Sequence, residues 1–225
     1  MARQPFPYAA VVLDVDGTLV DTNYVHTLCW WQALSQFGHN VPMARIHHAV
    51  GMGAELLVRE LIGEAQDHAR VQGVVQAHDV LFTTWWDVVR PLPGAEALLH
   101  WCWDSQVTSM LASSSGWRAL HAMLEVLGEP DLDIVVAGDE VEQPKPSPDI
   151  VLAALERAQV KPRSAVLVGD SVWDVRAATA AGVVCIGLTC GGTSEGDLLA
   201  AGASATFTDP AALLEHWRQA PDALD

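Results

Sequence analysis

The sequence of 225 residues predicts an α/β fold, a Rossmann-like three-layer core with a parallel sheet, interrupted early by an all-helical insertion. Three observations carry that expectation. From residue 95 onward, short apolar runs rich in β-branched residues alternate with segments of helical period, the pattern of strands joined by crossover helices. Between about residues 22 and 89 the patterned segments are helical and none reads convincingly as a strand. Ahead of that block stands a single short strand, 11–13, whose apolar run is suited to burial on both faces of a sheet built by the later strands.

In chain order, a helix is predicted over 21–37, with Val25, Leu28, Cys29, Trp31, Leu34 and Phe37 near i, i+3, i+4 spacing, Asp21 as its N-cap and Gly38 as its stop. Pro42 opens a short helix through residue 50, which Gly51-Met52-Gly53 breaks. Further helices are expected over 53–62 and 64–86, and Pro91-Leu92-Pro93-Gly94 closes the block. Then follow helix 95–103, strand 107–112, helix 116–127, strand 134–137, helix 149–158 and strand 165–168. Helix 172–181, strand 183–188, helix 195–201, strand 204–208 and helix 211–218 complete the chain. The domains are therefore a core of residues 1–20 and 92–225 and an insertion of residues 21–91. The tryptophan pairs 30 and 31, 85 and 86, and 101 and 103 are assigned to packing.

Half of the residues are hydrophobic, and no apolar run reaches the length of a membrane span. Met1-Ala2-Arg3-Gln4-Pro5 runs within a few residues into the first strand, which leaves no room for a signal peptide, so a cytoplasmic protein is expected. Cysteines 29, 102, 185 and 190 lack the spacing of a zinc site or a redox motif and are read as core thiols. A formal charge of −16 argues against nucleic acid as a partner and requires local cations to hold any anionic substrate. The chain has two lysines, Lys145 and Lys161. No feature of the sequence indicates an oligomeric state.

The first strand ends in Asp14-Val15-Asp16-Gly17-Thr18. Alternation sends Asp14 and Asp16 in one direction, Gly17 permits an immediate turn, and the Thr18 hydroxyl can bond back to the carboxylates or the loop. Two such acids need a cation or a shared proton between them, and Mg2+, which takes one or two carboxylates together with phosphate oxygens, is the expected cation. A carboxylate held there can attack phosphorus while its neighbour gives and takes protons. A hydrated acidic turn would leave the same short pattern, so the later strand ends must decide.

In open α/β sheets ligands bind beyond the carboxyl ends of the strands. After strand 107–112 come Ser113, Ser114, Ser115 and Gly116, hydroxyls and backbone N–H groups at a helix start that suit a phosphate, or simply cap the helix. After strand 134–137 comes Lys145, stiffened between Pro144 and Pro146, where it can neutralise a phosphoryl oxygen and the attacking carboxylate. After strand 165–168 come Asp170 and Asp174. Asp170 can complete a metal site opened by Asp14 and the main-chain carbonyl of Asp16, with Asp174 binding directly or through water.

Taken in order, Asp14-Val15-Asp16-Gly17-Thr18, Ser113, Lys145 and Gly169-Asp170-Ser171-Val172-Trp173-Asp174 resemble the four motifs of the haloacid dehalogenase superfamily. The helical insertion after the first motif resembles the cap of its phosphoglycolate phosphatase and β-phosphoglucomutase branch. The resemblance implies Asp14 as the nucleophile that becomes phosphorylated and Asp16 as general acid and base, its carbonyl also a magnesium ligand. It implies Ser113 and Lys145 as holders of the phosphoryl group, and Asp170 with Asp174 as holders of the metal. Thr18, Ser114 and Gly116 join the expected phosphate contacts.

In the cap, Arg45, His47, His48, Arg59 and the Gly51-Met52-Gly53 turn are expected to face the site. Asp16 speaks for phosphoryl chemistry over dehalogenation, and an insertion without lysine excludes a Schiff-base phosphonate hydrolase. The expected function is a magnesium-dependent phosphatase of a small phosphorylated metabolite, phosphoglycolate-like or a sugar phosphate. The alternatives are a β-phosphoglucomutase-like enzyme, which shares all four motifs, and a non-catalytic module that binds a phosphometabolite or a protein.

Overall fold

A computed structural model describes residues 6–219, so the opening residues 1–5, read above for a leader, and residues 220–225 lie outside the described part. The sheet has six strands, all parallel: β1 (Ala10–Leu13), β2 (Thr108–Ala112), β3 (Ile134–Val136), β4 (Ala165–Gly169), β5 (Val184–Leu188) and β6 (Ala205–Phe207). Their spatial order is β3-β2-β1-β4-β5-β6. The chain thus lays down strands outward on one side of β1, then returns to lay down the rest on the other side. β1 is fully buried because it has neighbours on both edges and helices on both faces. Val11 and Leu13 enter one apolar cluster and Ala10 and Val12 the other, the period-two alternation of a strand between two layers.

Helices α1 (Asn23–Gln36), α2 (Met43–Ala49), α3 (Ala54–Ile62) and α4 (His68–Thr83) follow β1 and form the insertion. They bury a cluster of their own, with Trp30, Leu34, Ile46, Leu57, Val71 and Val74 among its members. The two connections to the core lie side by side. Val20 bridges Pro91, the Asp21 N–H donates to the Arg90 carbonyl, and the Leu92 N–H donates to the Leu19 carbonyl. Helices α5 (Ala95–Asp104), α6 (Trp117–Val126), α7 (Asp149–Ala158), α8 (Val172–Ala181), α9 (Glu195–Ala201) and α10 (Pro210–Gln219) belong to the core.

Two helix starts differ from expectation. Asp21 is exposed and does not cap α1; the helix begins at Asn23 after Thr22, whose hydroxyl goes to Asp16. The helix expected over 64–86 is the shorter α4, because Gly63 lies at φ +98° and Asp67 caps the helix by accepting the Arg70 N–H. Other boundaries move by one or two residues, as fraying ends do. Trp30 is buried as expected, but Trp31 and Trp103 stand on the surface.

Candidate active site

The site forms at the switch point between β1 and β4. Leu13 lies beside Val168 and the Asp14 N–H donates to the Val168 carbonyl at 3.0 Å, so Asp14 and Asp170 leave neighbouring strands at the same edge. β2, on the other side of β1, delivers the serine run, and the loop after β3 delivers Lys145. Gly17 turns the chain at φ +77°; a Cβ there would meet Asn23 and come within 2.6 Å of Asp170 Oδ2, so the close approach requires glycine.

Asp14, Asp170 and Asp174 each offer an oxygen within 4.8 Å of the others, and all three are buried. Lys145 Nζ donates to Asp14 Oδ1 at 2.6 Å, to Asp174 Oδ1 at 2.7 Å and to the Ala112 carbonyl at 3.1 Å. The lysine is 1% exposed, and although burial lowers its pKa, Asp14 and Asp174 overcome that and raise it. One ammonium among three buried carboxylates leaves an excess of negative charge. Burial accordingly pushes Asp14 up to about 7 against the pull of Lys145, and burial with Asp174 and Asp14 raises Asp170 well above the carboxylate range. Carboxylates in that state gain from a divalent ion, and an all-oxygen donor set fits a hard one.

Asp16 faces α1 instead. Its carboxylate accepts from Thr22 Oγ1 at 2.7 Å, Ser115 Oγ at 2.9 Å and Ser113 Oγ at 3.4 Å, and lies 3.0 Å from His26 Nε2. Burial raises its pKa, but the field of His26 and these hydrogen bonds outweigh burial and hold it well below the ordinary range. The two acids of the first motif are therefore differentiated, one facing Lys145 and the acidic cluster, the other facing α1.

The other expected residues divide. Thr18 is fully buried and donates to Asp170 Oδ1 at 3.2 Å, so its hydroxyl serves a carboxylate, the bond-back open to it in the sequence. Ser113 Oγ accepts the Ser115 N–H, and Ser114 Oγ donates to the Gly51 carbonyl of the insertion at 2.9 Å. Gly51, Gly53, Ser114, Gly116 and Arg59 line a cleft of 820 Å³ between the helical insertion and the strand ends, onto which Asp14 and Asp16 open. Gly53 packs on Pro144 closely enough that a Cβ would collide. His47 reaches the core through Gly191, and the His48 carbonyl accepts the Trp173 Nε1–H at 3.0 Å. Arg45 is not brought to the site: it is exposed on α2 and does not line the cleft, because the neighbouring Ile46 turns into the apolar cluster of the insertion.

Sequence reasoning passed over His26, His78 and Asn23, and it read Ser115 as a phosphate or capping hydroxyl where the structure turns it to Asp16. His26 Nδ1 lies 3.0 Å from His78 Nε2, and His78 Nδ1 lies 3.0 Å from Asp79 Oδ1. His78 stacks on Trp30 at 3.7 Å, and burial lowers its pKa to about 4. One signal was available: Thr22 and His26 stand four apart, the spacing that puts both on one helix face toward Asp16.

Comparison with known proteins agrees with this geometry. Residues 8–182 match the haloacid dehalogenase-like hydrolase family. The chain belongs to that family of hydrolases. It is 31% identical over 188 residues to phosphoglycolate phosphatase of Pseudomonas putida, covering 80% of this chain and 69% of the relative. It is 28% identical over 181 residues to fructose-1-phosphate phosphatase YqaB of Escherichia coli, covering 78% and 94%. Among solved structures, a hydrolase from Pseudomonas syringae superposes with TM-score 0.89 at 29% identity, over 94% of this chain and 98% of that one. β-Phosphoglucomutase of Clostridium difficile shares the fold, with TM-score 0.82 at 19% identity over 95% and 96%.

Proposed function

We propose that the chain is a magnesium-dependent phosphatase of small phosphorylated metabolites that works through an aspartyl-phosphate at Asp14. The observation that carries this reading is the convergence of Asp14, Lys145, Asp170 and Asp174 in one buried cluster beside a separately held Asp16. In this reading residues 21–91 act as the cap and 1–20 with 92–225 as the core.

Asp14 attacks phosphorus in line with the leaving oxygen; the new bond is Oδ–P, the bond to the leaving group breaks, and Asp16 supplies the proton that the departing oxygen takes. A phosphate dianion beside Asp16 opposes its negative charge and brings its pKa back toward a range where it carries that proton. Water then attacks the same phosphorus, gives its proton to Asp16, and the Oδ–P bond breaks to regenerate Asp14. Lys145 keeps Asp14 ionised and aimed, and Thr22, His26 and Ser115 fix Asp16. Asp14, Asp170, Asp174 and the Asp16 carbonyl would hold Mg2+, which supplies positive charge against the phosphoryl oxygens. Thr18 orients Asp170.

The cleft supports a finer choice of substrate. Among the described residues lining it, Arg59 is the one arginine or lysine, and its Nη1 is engaged by the carbonyls of Glu64 and Gln66. Asp16, Glu55, Asp79, Asp139 and Glu142 line the same space. These acceptors suit an uncharged leaving group rich in hydroxyls and disfavour a second anion. A sugar monophosphate fits better than phosphoglycolate, whose leaving group carries a carboxylate of its own. The chain's setting in this reading is the cytoplasm; its cysteines are free thiols, and no described helix is long and apolar enough to cross a membrane.

The test is phosphate release from a panel of sugar monophosphates and phosphoglycolate with magnesium, comparing wild type with Asp14→Asn. Release by wild type, highest on a sugar phosphate and lost in the variant, is the expected result. Equal inactivity of both proteins across the panel would favour a binding module, and glucose 6-phosphate accumulating from β-glucose 1-phosphate would favour a mutase.

A further inference from the structure

The carbonyl of Gly191, in the loop after β5, receives two hydrogen bonds from the cap: from Asn23 Nδ2 on α1 at 3.0 Å and from His47 Nε2 on α2 at 3.0 Å. The same Nδ2 donates to Asp170 Oδ2 at 2.6 Å, while Asp170 Oδ1 accepts from Thr18 at 3.2 Å. Each oxygen of Asp170 therefore has a donor, one from the core and one from the first turn of the cap. The loop lies directly on the acid. A Cβ at Gly191 would collide with Asp170 Oδ2, and one at Gly192, at φ +97°, would stand 2.8 Å from His47 Nε2.

Asn23 is 4% exposed, and its remaining polar atom, Oδ1, is buried without a partner among the described residues. A buried orphan acceptor is unfavourable, and an apolar side chain of the same shape avoids it. Packing alone does not account for an asparagine here; the contact with Asp170 does.

We propose that Asn23 is a positioning residue for Asp170 and that, through Gly191, it makes cation binding at the acidic cluster and seating of the cap favour one another. The inference rests on the reading of Asp14, Asp170 and Asp174 as the magnesium site. A carboxylate fixed at both oxygens is held in the one orientation that presents it to a hard cation. When the cap lifts, α1 and α2 draw Asn23 and His47 away from Gly191, and Asp170 loses one of its two donors. An ion that binds better to the held acid favours the seated cap, and by reciprocity the seated cap favours the ion.

The test titrates magnesium chloride calorimetrically into the full chain, Asn23→Leu and His47→Ala. In parallel, limited proteolysis at the paired connections 20–22 and 90–92 reads cap seating with and without magnesium. Wild type is expected to bind the ion and to be protected by it. Asn23→Leu is expected to bind about tenfold or more weakly and to lose the protection, and His47→Ala is expected to weaken both in the same direction. Asn23→Ala takes the place of Asn23→Leu if the latter does not fold. Equal affinity of wild type and the Asn23 variant overturns the positioning role. Weakened binding in that variant with protection by magnesium unchanged, or His47→Ala indistinguishable from wild type, overturns the link to the cap. Wild type that binds no magnesium overturns the metal reading itself, and this inference with it.

Discussion

His26 Nε2 and Asp16 Oδ1 stand 3.0 Å apart, joining the first helix of the cap to the second acid of the core motif. Thr22, one turn earlier, holds the same oxygen at 2.7 Å. The group assigned to proton transfer is thus set partly by residues of the insertion. Its environment is that of the seated cap.

Replacing His26 by alanine removes the largest influence that lowers the Asp16 pKa. The base form of Asp16 is needed to take a proton from water, so a raised pKa moves the acid limb of the rate profile to higher pH. His26→Ala is expected to reduce kcat by about ten- to a hundredfold with a smaller change in KM. The profile of kcat against pH checks this, and an unshifted acid limb contradicts it.

Lys145→Met leaves two buried carboxylates, Asp14 and Asp174, without the ammonium between them. Removing one partner of a buried ion pair typically costs about 3–5 kcal/mol. Urea unfolding in the absence of magnesium is expected to show a loss of that order, and added magnesium to recover part of it. A variant as stable as wild type under both conditions contradicts the assignment of Lys145 as the counter-ion.

The core of this arrangement was legible because its signals are local. Strands 11–13 and 165–168 each end in aspartate, and Lys145 between prolines stands out in a chain with two lysines. The cap contribution was not, because its partners are remote: Asn23 and Asp170 are separated by 147 positions, and only the tertiary fold brings them together. Arg45 was misdirected for a related reason. A short helix of seven residues has too few apolar positions to fix its buried face, and that face proved to be Ile46 and Ala49. The capping reading of Asp21 failed because the helix begins later, after Thr22, and the Thr22 hydroxyl goes to Asp16 rather than to the helix end.

His78 provides a separate test by acid. Burial lowers its pKa from 6.5 to about 4, so between those values the unfolded chain binds a proton that the folded chain does not. Stability from this group is complete above about pH 6.5 and is lost as pH falls toward 4, by about 3 kcal/mol in all. Asp14, with its raised pKa, has the opposite slope, so the difference between wild type and His78→Gln isolates the effect. The gap in unfolding free energy between the two is expected to shift toward the variant on acidification; a constant gap contradicts a buried neutral imidazole.

Trapping the covalent intermediate tests the central claim most directly. Enzyme mixed with a sugar monophosphate and magnesium, quenched in acid within one turnover and reduced with borohydride, is expected to yield homoserine at position 14 by peptide mass spectrometry. Turnover with position 14 unmodified, or with the reduction found at Asp16, Asp170 or Asp174, would contradict Asp14 as the residue that carries the phosphoryl group.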